Sequence, residues 1–209
     1  MKTMLRAGAM LAMALGALSF AAAGQAPSGG AQSSPVQTSP VQGFDLATNF
    51  TYKIAKISET TTRFVLPGGS VDAAYTFGGS FRGLGVVIDF NGEAASNVEP
   101  GVNLTQISAL GGLRYSFLVA KRSPRPVTLY GEVLGGRVSA RDSLFPGPSG
   151  TTTTAGSLAF QAGGGANIRL THSISLRMLE ADFITTHLPN AANSRQYDVR
   201  FSNGVVFHF

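Results

Sequence analysis

From Gly43 onward the apolar residues of this chain return at every second position, and that period limits the possible folds more than any other feature of the sequence. In the closing stretch, alternate positions give Tyr197, Val199, Phe201, Asn203, Val205, Phe207 and Phe209 on one face. Gln196, Asp198, Arg200, Ser202, Gly204, Val206 and His208 fall on the other. Successive side chains point to opposite sides of a strand, so the stretch reads as a β-strand with one mostly apolar and one mostly polar side. If such a strand closes a barrel, it needs an odd number of like partners to make an even total.

Seven partners can be read. The strands are expected at Phe44–Ile54, Ser70–Gly78, Arg82–Phe90, Gln106–Val119, Val127–Ala140, Ser157–Leu170, Ser173–Thr185 and Gln196–Phe209. A tight turn around Gly78, Gly79 and Ser80 joins the second to the third. The polar segments Ser58–Gly69, Asn91–Asn103 and Arg141–Thr154 are expected to be long loops, the last because it holds Pro146, Gly147, Pro148 and Gly150. Long and short connections therefore alternate, as in an antiparallel up-and-down barrel with long loops at one end and tight turns at the other. In the seventh strand Ile174, Leu176 and Met178 share a parity with Glu180 and Asp182. A β-bulge near Leu179 would turn both acids to the polar side and return Ala181 and Phe183 to the apolar one.

Which face meets water decides between a soluble, lipocalin-like barrel and one set in a membrane. A soluble barrel would have to fill its interior with Phe44, Phe50, Tyr52, Tyr75, Phe77, Tyr115, Phe117, Phe160, Phe207 and Phe209. Rings gathered toward strand ends fit the aromatic girdles of a transmembrane barrel better, with most at the tight-turn end and Phe160 and Phe183 toward the other. Strands of nine to eleven residues at a tilt of about 40–45° cross roughly 25 Å of hydrocarbon, and closure leaves no unpaired edge in lipid. The expected fold is all-β, an eight-stranded antiparallel transmembrane barrel over residues 44–209.

The preceding residues fit that location. Lys2 and Arg6 precede the apolar run Ala7–Phe20 and the small-residue site Ala21-Ala22-Ala23, the layout of a secretory signal over residues 1–23, with an uncleaved anchor as the alternative. Residues 24–43, rich in Gly, Ser, Pro and Gln, read as a disordered leader. Without the signal, fourteen basic residues face eleven acidic ones, too even a balance to suggest a nucleic-acid partner. There is no cysteine, so disulfides and thiolate metal sites are excluded.

The eight-strand layout, the stretch L-R-M-L-E-A-D-F from Leu176 to Phe183 and the terminal V-V-F-H-F resemble the OmpA-like and OmpX-like small outer-membrane β-barrels of Gram-negative bacteria. The resemblance covers Gly43 to Phe209 and implies a monomer in contact with outer-membrane lipids and lipopolysaccharide. It also implies that Val205, Phe207 and Phe209 form the signal read by the barrel assembly machinery. The chain lacks the peptidoglycan-binding domain of full-length OmpA proteins, so a cell-wall tether is not implied.

An eight-stranded barrel leaves a lumen just wide enough to be filled by side chains. Glu132, Glu180 and Asp182 are expected to pair there with Arg114, Arg169, Arg177 and Arg200, because an unpaired buried ion is very costly. Such pairs serve as scaffolding or, in the alternative, as a gated ion path. An enzyme is not expected: His172 falls in a turn, His187 in a loop and His208 near the terminus, none visibly gathered with a serine and an acid, and no G-x-S-x-G occurs. No spacing suggests a metal or another cofactor. Gly163-Gly164-Gly165 is expected to make room for a large lumenal side chain. The loops are left as the surface for recognising an outside partner of unknown identity.

Overall fold

The computed structural model describes residues 42–56, 63–99, 101–119, 125–147, 150–189 and 194–209. The signal and nearly all of the leader expected from sequence lie outside these residues. The described residues form eight strands: β1 (Gly43–Lys56), β2 (Arg63–Thr76), β3 (Leu84–Glu99), β4 (Val102–Leu118), β5 (Val127–Gly147), β6 (Gly150–Arg169), β7 (Ile174–Thr186) and β8 (Gln196–His208). Each pairs antiparallel with its neighbours in chain order, and β8 returns to β1 from Asp45↔His208 to Ile54↔Val199, so the sheet closes. A single 3₁₀ turn, Gly79–Phe81, fills the tight connection between β2 and β3, with Gly79 (φ 61°) and Gly83 (φ 87°) in the left-handed region.

The expected long loops are corrected. β2 begins at Arg63 rather than Ser70, β3 and β4 run on until Glu99 pairs with Val102, and β5 and β6 until Gly147 pairs with Gly150. Beyond the apolar band a strand needs no apolar face, because its hairpin partner satisfies the backbone and β-branched residues such as Thr151–Thr154 suit the pleat. Pro146 is tolerated because β5 pairs with β4 only as far as Arg141; beyond it the single partner is β6. A register shift between Arg141 and Phe145, with Asp142 at φ 64°, kinks the same hairpin.

The bulge in β7 is present. β6 pairs Ala166 with Leu179 but Asn167 with Arg177, so Met178 is the extra residue. Met178 and Leu179 both face outward, while Arg177, Glu180 and Asp182 are buried inside and Ala181 and Phe183 return to the outer face.

The faces follow the alternation. Phe50 (61% exposed), Tyr52, Ile88, Phe90, Leu113, Tyr115, Val133, Phe160 and Phe183 stand on the outer wall. The soluble arrangement, with these rings inside, is thereby excluded. Ring pairs Tyr75–Phe77 (5.6 Å between centroids), Tyr115–Phe117 (6.5 Å) and Phe44–Phe209 (6.0 Å) gather at the tight-turn end, and Phe183 stacks on Tyr197 (5.9 Å) toward the hairpin end. These are the two aromatic girdles. Inside, the lumen is not wholly polar: Leu66, Leu104, Val138, Ala140, Phe145 and Leu188 belong to one apolar cluster. Leu66 and Phe145 come from strand extensions at the hairpin end that the sequence presents as loop.

Candidate functional site

The inward parity of seven strands brings a charged network to mid-lumen. Arg114 on β4 reaches Glu132 on β5 (2.7 Å) and Asp72 on β2 (3.1 Å). Arg177 on β7 bonds Asp72 (2.6 Å) and Glu180 (2.7 Å). Arg200 on β8 donates to Asp182 on β7 and Asp89 on β3, both at 3.0 Å, and to the Gln161 amide oxygen at 3.0 Å. The Tyr130 hydroxyl donates to Glu180 (2.5 Å), and its ring lies under the guanidinium of Arg114, 4.5 Å from the centroid, and near that of Arg177 at 5.2 Å. Nearer the hairpin end Lys53 donates to Glu93 and to Gln106, each at 2.5 Å.

Six of the seven expected lumen residues, Arg114, Glu132, Arg177, Glu180, Asp182 and Arg200, meet in these pairs. Arg169 does not: it is half-buried at the end of β6, opposite Ser175, where no carboxylate of the network reaches it. Asp72, Asp89, Tyr130 and Lys53 join these pairs as well, and no local pattern in the sequence points to their partners. Their partners come from across the barrel: Arg177 and Asp72 lie 105 residues apart, and Arg200 and Asp89 lie 111 apart.

The glycine run makes room as expected. A Cβ on Gly165 would stand 2.6 Å from the Tyr130 hydroxyl oxygen, and one on Gly163 would collide with the Asp182 carboxylate. Glu132, Glu180 and Asp182 offer carboxylate oxygens within 4.8 Å of one another, a cluster no sequence spacing announced. Each is already engaged by an arginine of the network, so the cluster is held as ion pairs.

At the tight-turn end a second group forms. His208 Nδ1 lies 2.7 Å from Asp45 Oδ1 and its Nε2 lies 2.6 Å from Ser175 Oγ. This corrects the expectation that no histidine is gathered with a serine and an acid. β8 lies between β1 and β7, so closing the sheet brings three inward-facing residues from distant parts of the chain into one row. Val205, Phe207 and Phe209 lie toward the outer face beside this row, and the Phe209 amide donates to the Phe44 carbonyl (2.9 Å).

A closed eight-stranded wall, apolar outside and charged within, defines a transmembrane β-barrel. No family model and no curated protein matches the sequence. Among solved structures the chain is similar to Neisserial surface protein A, with 16% identity over 80% of this chain and 97% of that one and a TM-score of 0.54. It is also similar to Ail, the attachment invasion locus protein of Yersinia pestis, with 14% identity over 81% of this chain and all of that one, at a TM-score of 0.50. Ail in complex with the heparin analogue sucrose octasulfate gives 16% identity, the same coverage and a TM-score of 0.51. The fold is that of the small eight-stranded outer-membrane barrels.

Proposed function

We propose that the protein is an integral barrel of the bacterial outer membrane with a structural and surface-interaction role, its lumen closed to free ion flow. The carrying observation is the filled interior: a salt-bridged layer at mid-height and, toward the hairpin end, a cluster containing Leu66, Leu104, Val138 and Phe145. Charges locked to one another offer no vacant site to a passing ion, and an apolar constriction resists wetting. In planar bilayers the protein should conduct no more than the lipid alone, as should its Glu132→Ala variant. Steady single-channel currents from the parent protein would overturn the closed-lumen reading.

The tight turns face the periplasm and the hairpins face outward, the usual disposition of such barrels. Val205, Phe207 and Phe209 then present the assembly signal at the periplasmic rim, and the protein acts as a monomer. From Val127 to Arg137 the strand runs about 33 Å, or some 25 Å along the barrel axis at a tilt near 40°, so Arg137 marks the outer edge of the hydrocarbon. Arg137 and Arg141 are both exposed on the outer face of β5, Arg141 beside Thr105 and Thr154. At headgroup height two outward guanidinium groups suit the phosphates of lipopolysaccharide. Purified Arg137→Gln/Arg141→Gln protein should retain less lipopolysaccharide; unchanged retention would remove the pair from the lipid interface.

Recognition of an external partner is the second reading, favoured by the β5–β6 hairpin, which stands some 25 Å above Arg137 at the same rise and tilt. Replacing residues 142–153 by a two-residue turn should leave the barrel folded. Undiminished adherence of cells carrying that variant would end this reading.

A further inference from the structure

Beyond the structural role, one group of side chains has the geometry of a reaction centre. Asp45, His208 and Ser175 stand on the adjacent strands β1, β8 and β7, with Asp45 and His208 directly opposed in the ladder. The backbone holds them there, since the His208 amide also donates to the Ser173 carbonyl at 2.9 Å. With Nδ1–H donated to the Asp45 carboxylate at 2.7 Å, the imidazole presents an unprotonated Nε2 that accepts the Ser175 hydroxyl at 2.6 Å. An acid orients the histidine, the histidine meets the hydroxyl through its other nitrogen, and the order is that of an activated serine nucleophile.

A chain of bonds that merely fastened the seam would need no space around it. This one lines a cavity of about 110 Å³ at the tight-turn end, shared with Tyr130, Asn167 and Arg169. At about 30 Å³ for each water-sized group, its volume is on the scale of an acyl group of three or four heavy atoms. Arg169, the residue left out of the mid-lumen network, is the register partner of Ser175 across β6 and β7. It forms none of the ion pairs found among the described residues and sits where a negative charge developing beside Ser175 would meet a cation.

We propose that Ser175, His208 and Asp45 form a nucleophilic serine site for short-chain carboxylic esters, with Ser175, itself only 2% exposed, reached through this cavity from the periplasmic mouth of the barrel. Ser175 Oγ attacks the ester carbonyl carbon as its proton passes to His208 Nε2, and the carbonyl electron pair moves onto oxygen beside Arg169. Collapse of that adduct re-forms the carbonyl and breaks the ester C–O bond, and the Nε2 proton leaves on the departing alcohol. Water, deprotonated by the same nitrogen, then attacks the acyl-serine and releases the acid. Ester and water are consumed, alcohol and carboxylic acid are formed, and nothing is oxidised.

The test uses the full chain refolded in detergent micelles, with p-nitrophenyl acetate as probe and peptide mapping by mass spectrometry as readout. Acetylation confined to Ser175 is expected, absent in Ser175→Ala and slowed by at least about 100-fold in His208→Gln, the scale of general-base assistance. Asp45→Asn should slow it while leaving Ser175 as the acceptor, and p-nitrophenyl decanoate should label the site more slowly than the acetate. Gel mobility before and after boiling verifies that each variant is folded; if His208→Gln fails to fold, the Asp45→Asn comparison carries the decision. No Ser175 adduct in the folded parent protein, or labelling at an unchanged rate in the folded His208 or Asp45 variant, would overturn the proposal and leave the three side chains as a seam bond.

Discussion

Replacing Arg177 by methionine, which keeps much of the side-chain volume and removes the charge, puts the mid-lumen network to its sharpest test. Arg177 is 1% exposed and bonds Asp72 and Glu180 at 2.6 and 2.7 Å. With charge centres about 4 Å apart and an effective dielectric near 20, each attraction is worth about 4 kcal/mol. Part of this is recovered without the arginine, because Asp72 keeps Arg114 at 3.1 Å and Glu180 keeps the Tyr130 hydroxyl. The neighbouring charges set the sign of the remainder. Arg114, Arg177 and Arg200 serve Asp72, Asp89, Glu132, Glu180 and Asp182, three cations for five carboxylates, and the variant leaves two. A net loss of about 3–5 kcal/mol follows, the range for breaking a buried pair from one side. Equilibrium urea unfolding of the protein in lipid vesicles measures it. Since carboxylates are in excess, Asp72→Asn should cost less than Arg177→Met, and the double variant should be more stable than the two losses added together predict. A loss under about 1 kcal/mol for Arg177→Met, or strict additivity in the double variant, would show that the network does not hold the lumen together.

Other perturbations probe the wall and the space inside it. Gly165→Val would drive a side chain against the Tyr130 hydroxyl, 2.6 Å from the Cβ position, and should destabilise by about 1–3 kcal/mol in the same unfolding assay, with partial recovery on adding Tyr130→Phe. Deleting Met178, the extra residue of the bulge, keeps Arg177, Glu180 and Asp182 inward and should be tolerated. Deleting Ala181 instead turns Asp182 toward lipid and should abolish the heat-modifiable folded band on gels; equal behaviour of the two deletions would refute the bulge's role. Val133→Arg, at mid-wall, should cost about 2–4 kcal/mol in vesicle unfolding, far more than a surface substitution in a soluble protein.

Much of this architecture is present in the linear order of residues. A strand that crosses hydrocarbon beside a filled lumen has one face for lipid and one for polar partners, so alternation alone marks β1 to β8, and the misplaced parity of Glu180 and Asp182 marks the bulge. The same reasoning is silent where lipid ends. Asn91–Asn103 and Arg141–Thr154 carry no apolar period, yet they are largely strand, because their backbone groups pair within hairpins whatever the side chains are.

Parity also determines which residues enter the lumen, but not the height at which each one sits. Height depends on strand tilt and register, which closure of the whole sheet sets. Arg177 therefore meets Asp72 from across the barrel, Arg169 stands apart from the network at the mouth, and Leu66 and Phe145 gather where loops were expected. Asp45, Ser175 and His208 each read as one more inward polar residue of its own strand. Only the pairing of β8 with both β7 and β1 lays the three in a row, since that contact is made by closing the sheet and no local pattern in the chain encodes it.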